Sequence, residues 1–389
     1  MNTHLRNFTA IPFATISLIS FSAHSAEISH EGWQYSFNGF VNTHVVYAKC
    51  DDSNTVVAGN ALLCRGENAS SVSNGYSPAS FSFGAKTEKH GWQYSATLAI
   101  EPGNTDNTAF NGSGDNKAYR AFFTVGNEQY GTLKAGRDYG VFGIDIVLED
   151  MSLAGTGAPA SINSPLNTSL GGAGYGYIFT DRLSQITYSH SLPSGFSGAV
   201  GIYQPLDLIS FGGNGYNGDT GSSRPGIHGK LRYDHANGYV STTFISQDVD
   251  TAANDYTARA IDITAALDIG NTHLVASGFS AKGMGYYGLL TDAADSQGLP
   301  RDSDGWLLQA THLFGDTKVG INYGQSAVDL TASDSDIQLK SQSKVTVGVY
   351  QPVLDLFTVA LEISDIDAEN HAGDDIGNQA ISLGVMTSF

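Results

Sequence analysis

No interior stretch of this 389-residue chain approaches the roughly 20 consecutive apolar residues that a membrane-spanning helix requires. That absence excludes a helical membrane protein. Positive charge is scarce as well: 19 Lys and Arg stand against 38 Asp and Glu, a formal net charge of −19. Electrostatic binding to nucleic acid or to anionic headgroups is therefore not expected. There are only two cysteines, Cys50 and Cys64, with no His or Cys nearby to complete a tetrahedral metal site. Enzyme signatures are equally thin. No HExxH occurs, and Gly213-Asn214-Gly215-Tyr216-Asn217-Gly218 matches GxGxxG without a helix pattern after it. Asp302-Ser303-Asp304-Gly305 is a fragment of a calcium loop. His190 and Ser191, as strand neighbours, face opposite sides and cannot form a hydrolytic pair. Neither an enzyme nor a cofactor or metal is expected. A short fixed repeat, which would signal a β-helix, is missing too. So is any linker or composition break, which leaves one domain.

What the chain does have, at its start, is a secretory leader pattern. Arg6 lies in a short polar segment, an apolar stretch follows from about Phe8 to Phe21, and Ser22-Ala23-His24-Ser25-Ala26 precedes Glu27. Residues 1–26 read as a signal peptide cut after Ala26, with a cut nearer Ala23 as the alternative because His24 suits the minus-three position poorly. Residues 27–389 are then exported. In an oxidising periplasm Cys50 and Cys64 read as a disulfide that pins one loop, with a pair of unreactive free thiols as the alternative.

Beyond the leader the dominant signal is alternation. Trp33, Tyr35, Phe37, Gly39, Val41, Thr43, Val45 and Tyr47 share one face, with Gln34, Ser36, Asn38, Phe40, Asn42, His44 and Val46 on the other. Aromatic residues stand at both ends of the apolar face and aliphatic ones nearer its middle, as in a lipid-facing band with interfacial girdles. Segments of this kind recur to Ile381, Leu383, Val385, Thr387 and Phe389. About sixteen can be counted, joined alternately by short turns such as Gly270-Asn271 and by longer Gly/Asp/Asn/Ser-rich loops. Short connections on one side and long ones on the other specify an all-β chain, a transmembrane antiparallel up-and-down β-barrel. A soluble sandwich would bury its apolar faces in a core, without aromatic clusters at strand ends. The acids gather between segments, at Asp51-Asp52 and in 292–304, 329–336 and 365–375. They read as solvated loops, with divalent-cation binding near a charged outer surface as the alternative.

The stretch 118–197 carries a more specific pattern: Arg120-Ala-Phe-Phe-Thr-Val-Gly, then Tyr130-Gly-Thr-Leu-Lys-Ala-Gly-Arg137, a long Gly-rich connection, then Arg182-x-x-Gln-x-x-Tyr188-Ser. This order resembles the general diffusion porins of Gram-negative bacteria, over nearly the whole mature chain. The closing Phe389 at the end of an alternating strand is similar to the last residue of outer-membrane barrels. The resemblance implies a homotrimer in the bacterial outer membrane, in contact with its lipid and lipopolysaccharide. It implies a water-filled channel for passive diffusion of small hydrophilic solutes and ions, and a loop after Arg137 that folds into the lumen. A substrate-specific channel, or a non-conducting barrel acting as adhesin or surface enzyme, is the alternative.

The resemblance places Arg120, Arg137 and Arg182 on the wall of the narrow zone, and alternation puts Lys134 on the lumenal face beside them. Asp145, Glu149 and Asp150, in the first half of the loop, would face that wall and set up a transverse field across the constriction. Strict alternation puts Arg137 on the face of Leu133 and Arg182 on that of Ile186, so a bulge at Gly136 and a strand-mouth position for Arg182 are needed to turn them inward. Alternation also places His44, Lys230, Arg232 and Glu362 on the lumenal face.

Overall fold

The computed structural model describes residues 26–51, 55–60, 68–103, 119–159, 168–210 and 215–389. Residues 1–25, which hold nearly all of the expected leader, and Cys64 lie outside the described residues. The first strands are β1 (Ala26–His30), β2 (Trp33–Cys50), β3 (Ala69–Ser73), β4 (Ser80–Lys89), β5 (Trp92–Ile100), β6 (Tyr119–Asn127) and β7 (Gly131–Tyr139). After a long loop, whose described parts 140–159 and 168–181 turn inward, come β8 (Arg182–Ser191), β9 (Phe196–Tyr203), β10 (Gly226–His235), β11 (Gly238–Asp250), β12 (Asp255–Ile269) and β13 (Thr272–Lys282). The last are β14 (Asp302–Phe314), β15 (Thr317–Val328), β16 (Leu339–Val353), β17 (Phe357–Asn370) and β18 (Asp375–Ser388). All belong to one antiparallel sheet, and β18 returns to pair with β2 from Ser388 opposite Phe40 to Asn378 opposite Cys50. The barrel is therefore closed, and no lipid-exposed backbone edge is left unpaired along this seam.

Eighteen strands fill sixteen places. The lower half of β2 pairs with β1 on the side where its upper half pairs with β18, so β1 continues the line of β18. On the other side β3 and β4 are two halves of one descending strand, pairing with Ala48–His44 and Phe40–Trp33 respectively. Between them segment 74–79 leaves the wall and enters the lumen. Asn42 of β2 holds it there, accepting from Gly75 N (2.7 Å) and donating to Ser77 O (2.8 Å).

The two faces obey the pleat. Val45, Leu98, Ile261 and Leu308 stand on the outside, each more than half exposed. Rings gather near the short turns: Trp33 stacks on Tyr35, and Trp92 on Tyr130 with centroids 5.9 Å apart. Inside, polar and small residues alternate with them, but on the arc β11–β18 these inner residues are buried rather than wet. Ser241, Thr264, Asn322, Thr346, Ser364 and Ser382 are all covered. What covers them is loop. The inward loop and loop 283–301, which joins β13 to β14, contribute Phe142, Tyr175, Ile178, Tyr286, Tyr287 and Leu290 to an apolar core inside the barrel. One expectation is corrected here. Asp292 and Asp295 of the acidic stretch 292–304 are buried, not solvated, and Asp295 accepts from Gln297 N and Leu299 N in a tight turn.

Candidate functional site: a narrowed lumen

The inward loop starts at Gly140 and reaches the far wall within a few residues. Gly143, with φ +67°, opens helix α1 (Ile144–Glu149), and its N–H is held by Asp262 Oδ2 (2.8 Å) and Thr243 Oγ1 (3.1 Å). Ile146 and Val147 pack on Tyr239, Ala266 and Val275 of β11–β13, which fixes the helix along the wall. A 3-10 turn, Met151–Ala154, follows, and Met151 N donates to Gln309 Oε1 of β14 (2.8 Å). The loop then docks on Glu362 of β17. That carboxylate accepts from Thr156 N (2.7 Å), Gly157 N (2.8 Å), Thr156 Oγ1 (3.1 Å) and Tyr350 OH (2.5 Å). Beyond it, Gly155 O accepts from Tyr76 N of segment 74–79, closing the belt against β2.

Charge concentrates on the opposite arc, β5–β10. Glu101, just past the end of β5, is buried and accepts from Arg120 Nε (2.8 Å), Arg182 Nε (2.5 Å) and Tyr139 OH (3.2 Å). Both guanidinium groups also lie over the Tyr139 ring, at 5.6 and 4.8 Å, a cation–π arrangement that holds them in place. Asp138 accepts from Lys134 Nζ (2.7 Å). Lower on the arc, Asp145 of α1 accepts from Lys230 Nζ (2.6 Å) and Arg232 Nη1 (3.3 Å), a direct tie between the loop acids and the basic wall. Burial alone would raise the Asp145 carboxyl, but Lys230 and then Arg232 outweigh it and hold the pKa below the ordinary value. Lys134, Lys230 and Arg232 keep 20–26% of their side chains open to solvent.

The expected residues thus separate into two groups. Arg120, Lys134, Arg182, Asp145, Lys230 and Arg232 come together on the lumenal side, Arg182 by sitting at the mouth of β8 opposite Tyr139. Arg137 does not join them. The β6–β7 register runs unbroken past Gly136, so alternation holds, and Arg137 lies 5.1 Å over the exposed ring of Tyr119. Asp150 is turned into its own loop, accepting from Ser152 N, Gly172 N and Tyr177 OH, and is buried there. Glu149 meets His273 Nε2 (2.7 Å) on β13 rather than the arginines. His44 and Glu362 face inward but are covered, His44 by segment 74–79 and Glu362 by the loop it holds, so neither is lined by water.

Glu101, Asp138 and Tyr139 were not singled out from the sequence. Parity could have found the two acids: Glu101 continues the inward series Ser95, Thr97, Ala99, and Asp138 continues Lys134. Tyr139 breaks parity at the strand end and has no such signal. The interior tyrosines Tyr175, Tyr177, Tyr203, Tyr286 and Tyr287 are at most 2% exposed, so they pack the loops and offer no aromatic track to a solute.

A profile of the Gram-negative porin family matches residues 14–386. None of the curated proteins compared matches the chain. Among solved structures, the fold is similar to the outer membrane channel DcaP of Acinetobacter baumannii (15% identity, 93% of this chain and 99% of that one, TM-score 0.67). It is also similar to an anion-selective porin from Comamonas acidovorans (16% identity, 92% and 100%, TM-score 0.65). The trimer form of OmpT, an outer membrane protein of Vibrio cholerae, is a third (14% identity, 92% and 100%, TM-score 0.56).

Proposed function

The chain belongs to the Gram-negative porin family, outer-membrane channels for passive diffusion, and from that premise we propose that solutes cross it between helix α1 and the arc β5–β10. The observation that carries this reading is the position of the inward loop, latched on Glu362 along one wall, which leaves the cluster of partly open bases on the opposite one. There the bases Arg120, Lys134, Arg182, Lys230 and Arg232 are matched in number by the carboxylates they pair with, Glu101, Asp138, Asp145, Asp181 and Asp234. Selectivity follows the narrowest zone, so these paired charges, rather than the acidic balance of the whole chain, set the preference between ions. On β13, His273 sits between two carboxylates, Glu149 and Asp268, a second charged group with one base to two acids. No catalytic step is proposed, because no nucleophile and base are brought together at the site described.

The same reading extends to assembly: a leader removed after Ala26, a Cys50–Cys64 disulfide at the rim of β2, a homotrimer, and contact with outer-membrane lipid and lipopolysaccharide. A trimeric relative of similar fold supports the homotrimer. The apolar outer face supports the lipid contact.

The test is conductance of the refolded mature chain in a planar bilayer, with reversal potential measured in a salt gradient. Steps in groups of three are expected, and the reversal sign reads which of the paired charges prevails in the passage. Folded protein that never conducts would remove the diffusion channel and put the non-conducting barrel first.

A further inference from the structure

Loop 283–301 connects adjacent strands whose ends already pair, Lys282 opposite Asp302, and Gly283 N donates to Arg301 O across its neck (2.8 Å). A loop so closed at its base has no topological need to leave the rim. Its composition nevertheless suits an interior: Met284, Tyr286, Tyr287, Leu290, Ala293 and Ala294 are at most 1% exposed. Their neighbours in the apolar core include Phe142, Tyr175 and Ile178 of the inward loop and Phe279 and Ala281 of the wall. The contact with the inward loop is close. Phe179 N donates to Tyr287 O (2.8 Å), and a Cβ on Gly174 would meet the Tyr287 ring at 2.1 Å. Tyr287 OH reaches across to Gln342 of β16 (2.6 Å), whose amide donates in turn to Gly174 O (2.6 Å).

The loop also ties the other outer connections together. Tyr286 OH donates to Gly59 O, Ile209 N to Leu290 O, and Asp292 N to Ile209 O. Its end is anchored by the buried Arg301, which donates to Asp334 through Nε (2.9 Å) and Nη2 (2.6 Å) and to Asp292 O and Ala294 O through Nη1. A mobile rim loop makes few such bonds; this one is built as a fixed body.

We propose that loop 283–301 is a second obstruction of the lumen, which backs the inward loop and sets the size limit from the outer side. This rests on the diffusion-channel reading and adds to it a specificity-determining element on the side of the lumen away from the charged arc. Removing the body widens the passage without altering the charges that choose between ions.

The experiment uses two variants of the full mature chain in bilayers. In one, residues 286–290 are excised and replaced by Gly-Ser-Gly. In the other, Tyr286→Ala and Tyr287→Ala keep the loop length but remove both rings. Folding is checked by heat-modifiable mobility, and size limits by graded neutral polymers. Conductance of the excised form should rise about twofold and admit larger polymers, with the reversal sign unchanged. The double alanine form should move the same way by less, and decides the matter if the excised form does not fold. Wild-type conductance and cut-off in a folded variant would overturn the proposal while leaving the diffusion channel intact. A silent wild type with a conducting variant would sink the open-channel reading and sustain the obstruction. Silence in all folded forms overturns both.

Discussion

Replacement of Glu362 is the sharpest perturbation of the belt. Its carboxylate takes two backbone N–H groups and two hydroxyls, at 2.5 to 3.1 Å, from a region it shares with Thr156, Gly157 and Tyr350 and with almost no solvent access. Hydrogen bonds to a charged acceptor contribute about 1.5–3 kcal/mol each, and buried donors left without a partner cost about 1–3 kcal/mol. They share one side chain, so these values do not add; about 3–5 kcal/mol is the reasonable loss for Glu362→Ala. Glu362→Gln keeps an oxygen for Thr156 N and Gly157 N and turns its amide to Tyr350, whose hydroxyl can accept. That variant should lose only about 1–2 kcal/mol. The loss falls on the docking of one loop, while the β17 ladder is untouched. Single-channel recording should therefore show the alanine form flickering to larger conductance and the glutamine form close to wild type. Equal quiet, low conductance in wild type and Glu362→Ala would refute the idea that this carboxylate holds the belt.

Three other outcomes are expected. Arg120→Ser removes one of the lumenal bases and should shift the reversal potential toward cations; an unchanged potential would take Arg120 out of the constriction. Asp334 would be raised by burial alone, but its bidentate pairing with Arg301 prevails and holds the carboxyl below its ordinary value. Its contribution is therefore complete above the ordinary carboxyl pKa of about 3.9 and lost as pH falls through the lower folded value. Conductance should stay level from neutral pH down to about 5 and rise below about 4 as loop 283–301 loosens, a rise that Asp334→Asn should abolish by loosening the loop at every pH. Finally, alkylation of the denatured, unreduced mature chain should add no label to Cys50 or Cys64, whereas two labels would show free thiols.

How much of this was legible beforehand depended on regular backbone. The long strands announce themselves, because a pleat forces alternation and lipid on one side keeps one face apolar: Trp33 to Tyr47 is one such run, Ile261 to Ile269 another. Strands β1 and β3, of five residues each, have sequences AEISH and ASSVS, too short and too polar to register. The charged arc was half legible, since parity reaches Arg120, Lys134 and Lys230 but points Arg182 outward and gives no sign of Tyr139, both at strand ends. The partners of the loop acids were not legible at all. Asp145 and Asp150 lie five residues apart, yet one meets Lys230 and the other folds back on Gly172, a choice made by the tertiary path of the chain. For the same reason the stretch 292–304 read as a solvated loop, although Asp292 and Asp295 are buried. No period marks an irregular segment as interior.

The unequal filling of the barrel has a consequence for how the protein can change over generations. On the inner arc β11–β18 the side chains sit in packed surroundings, so substitutions there meet the steric and polar demands of a globular interior, with losses to match. On the arc β5–β10 the partly open charges can be exchanged with far less effect on packing. New solute preferences should therefore arise within a few strands of one side, while the other side drifts slowly, and a comparison of natural variants would show two rates of change within a single ring of strands.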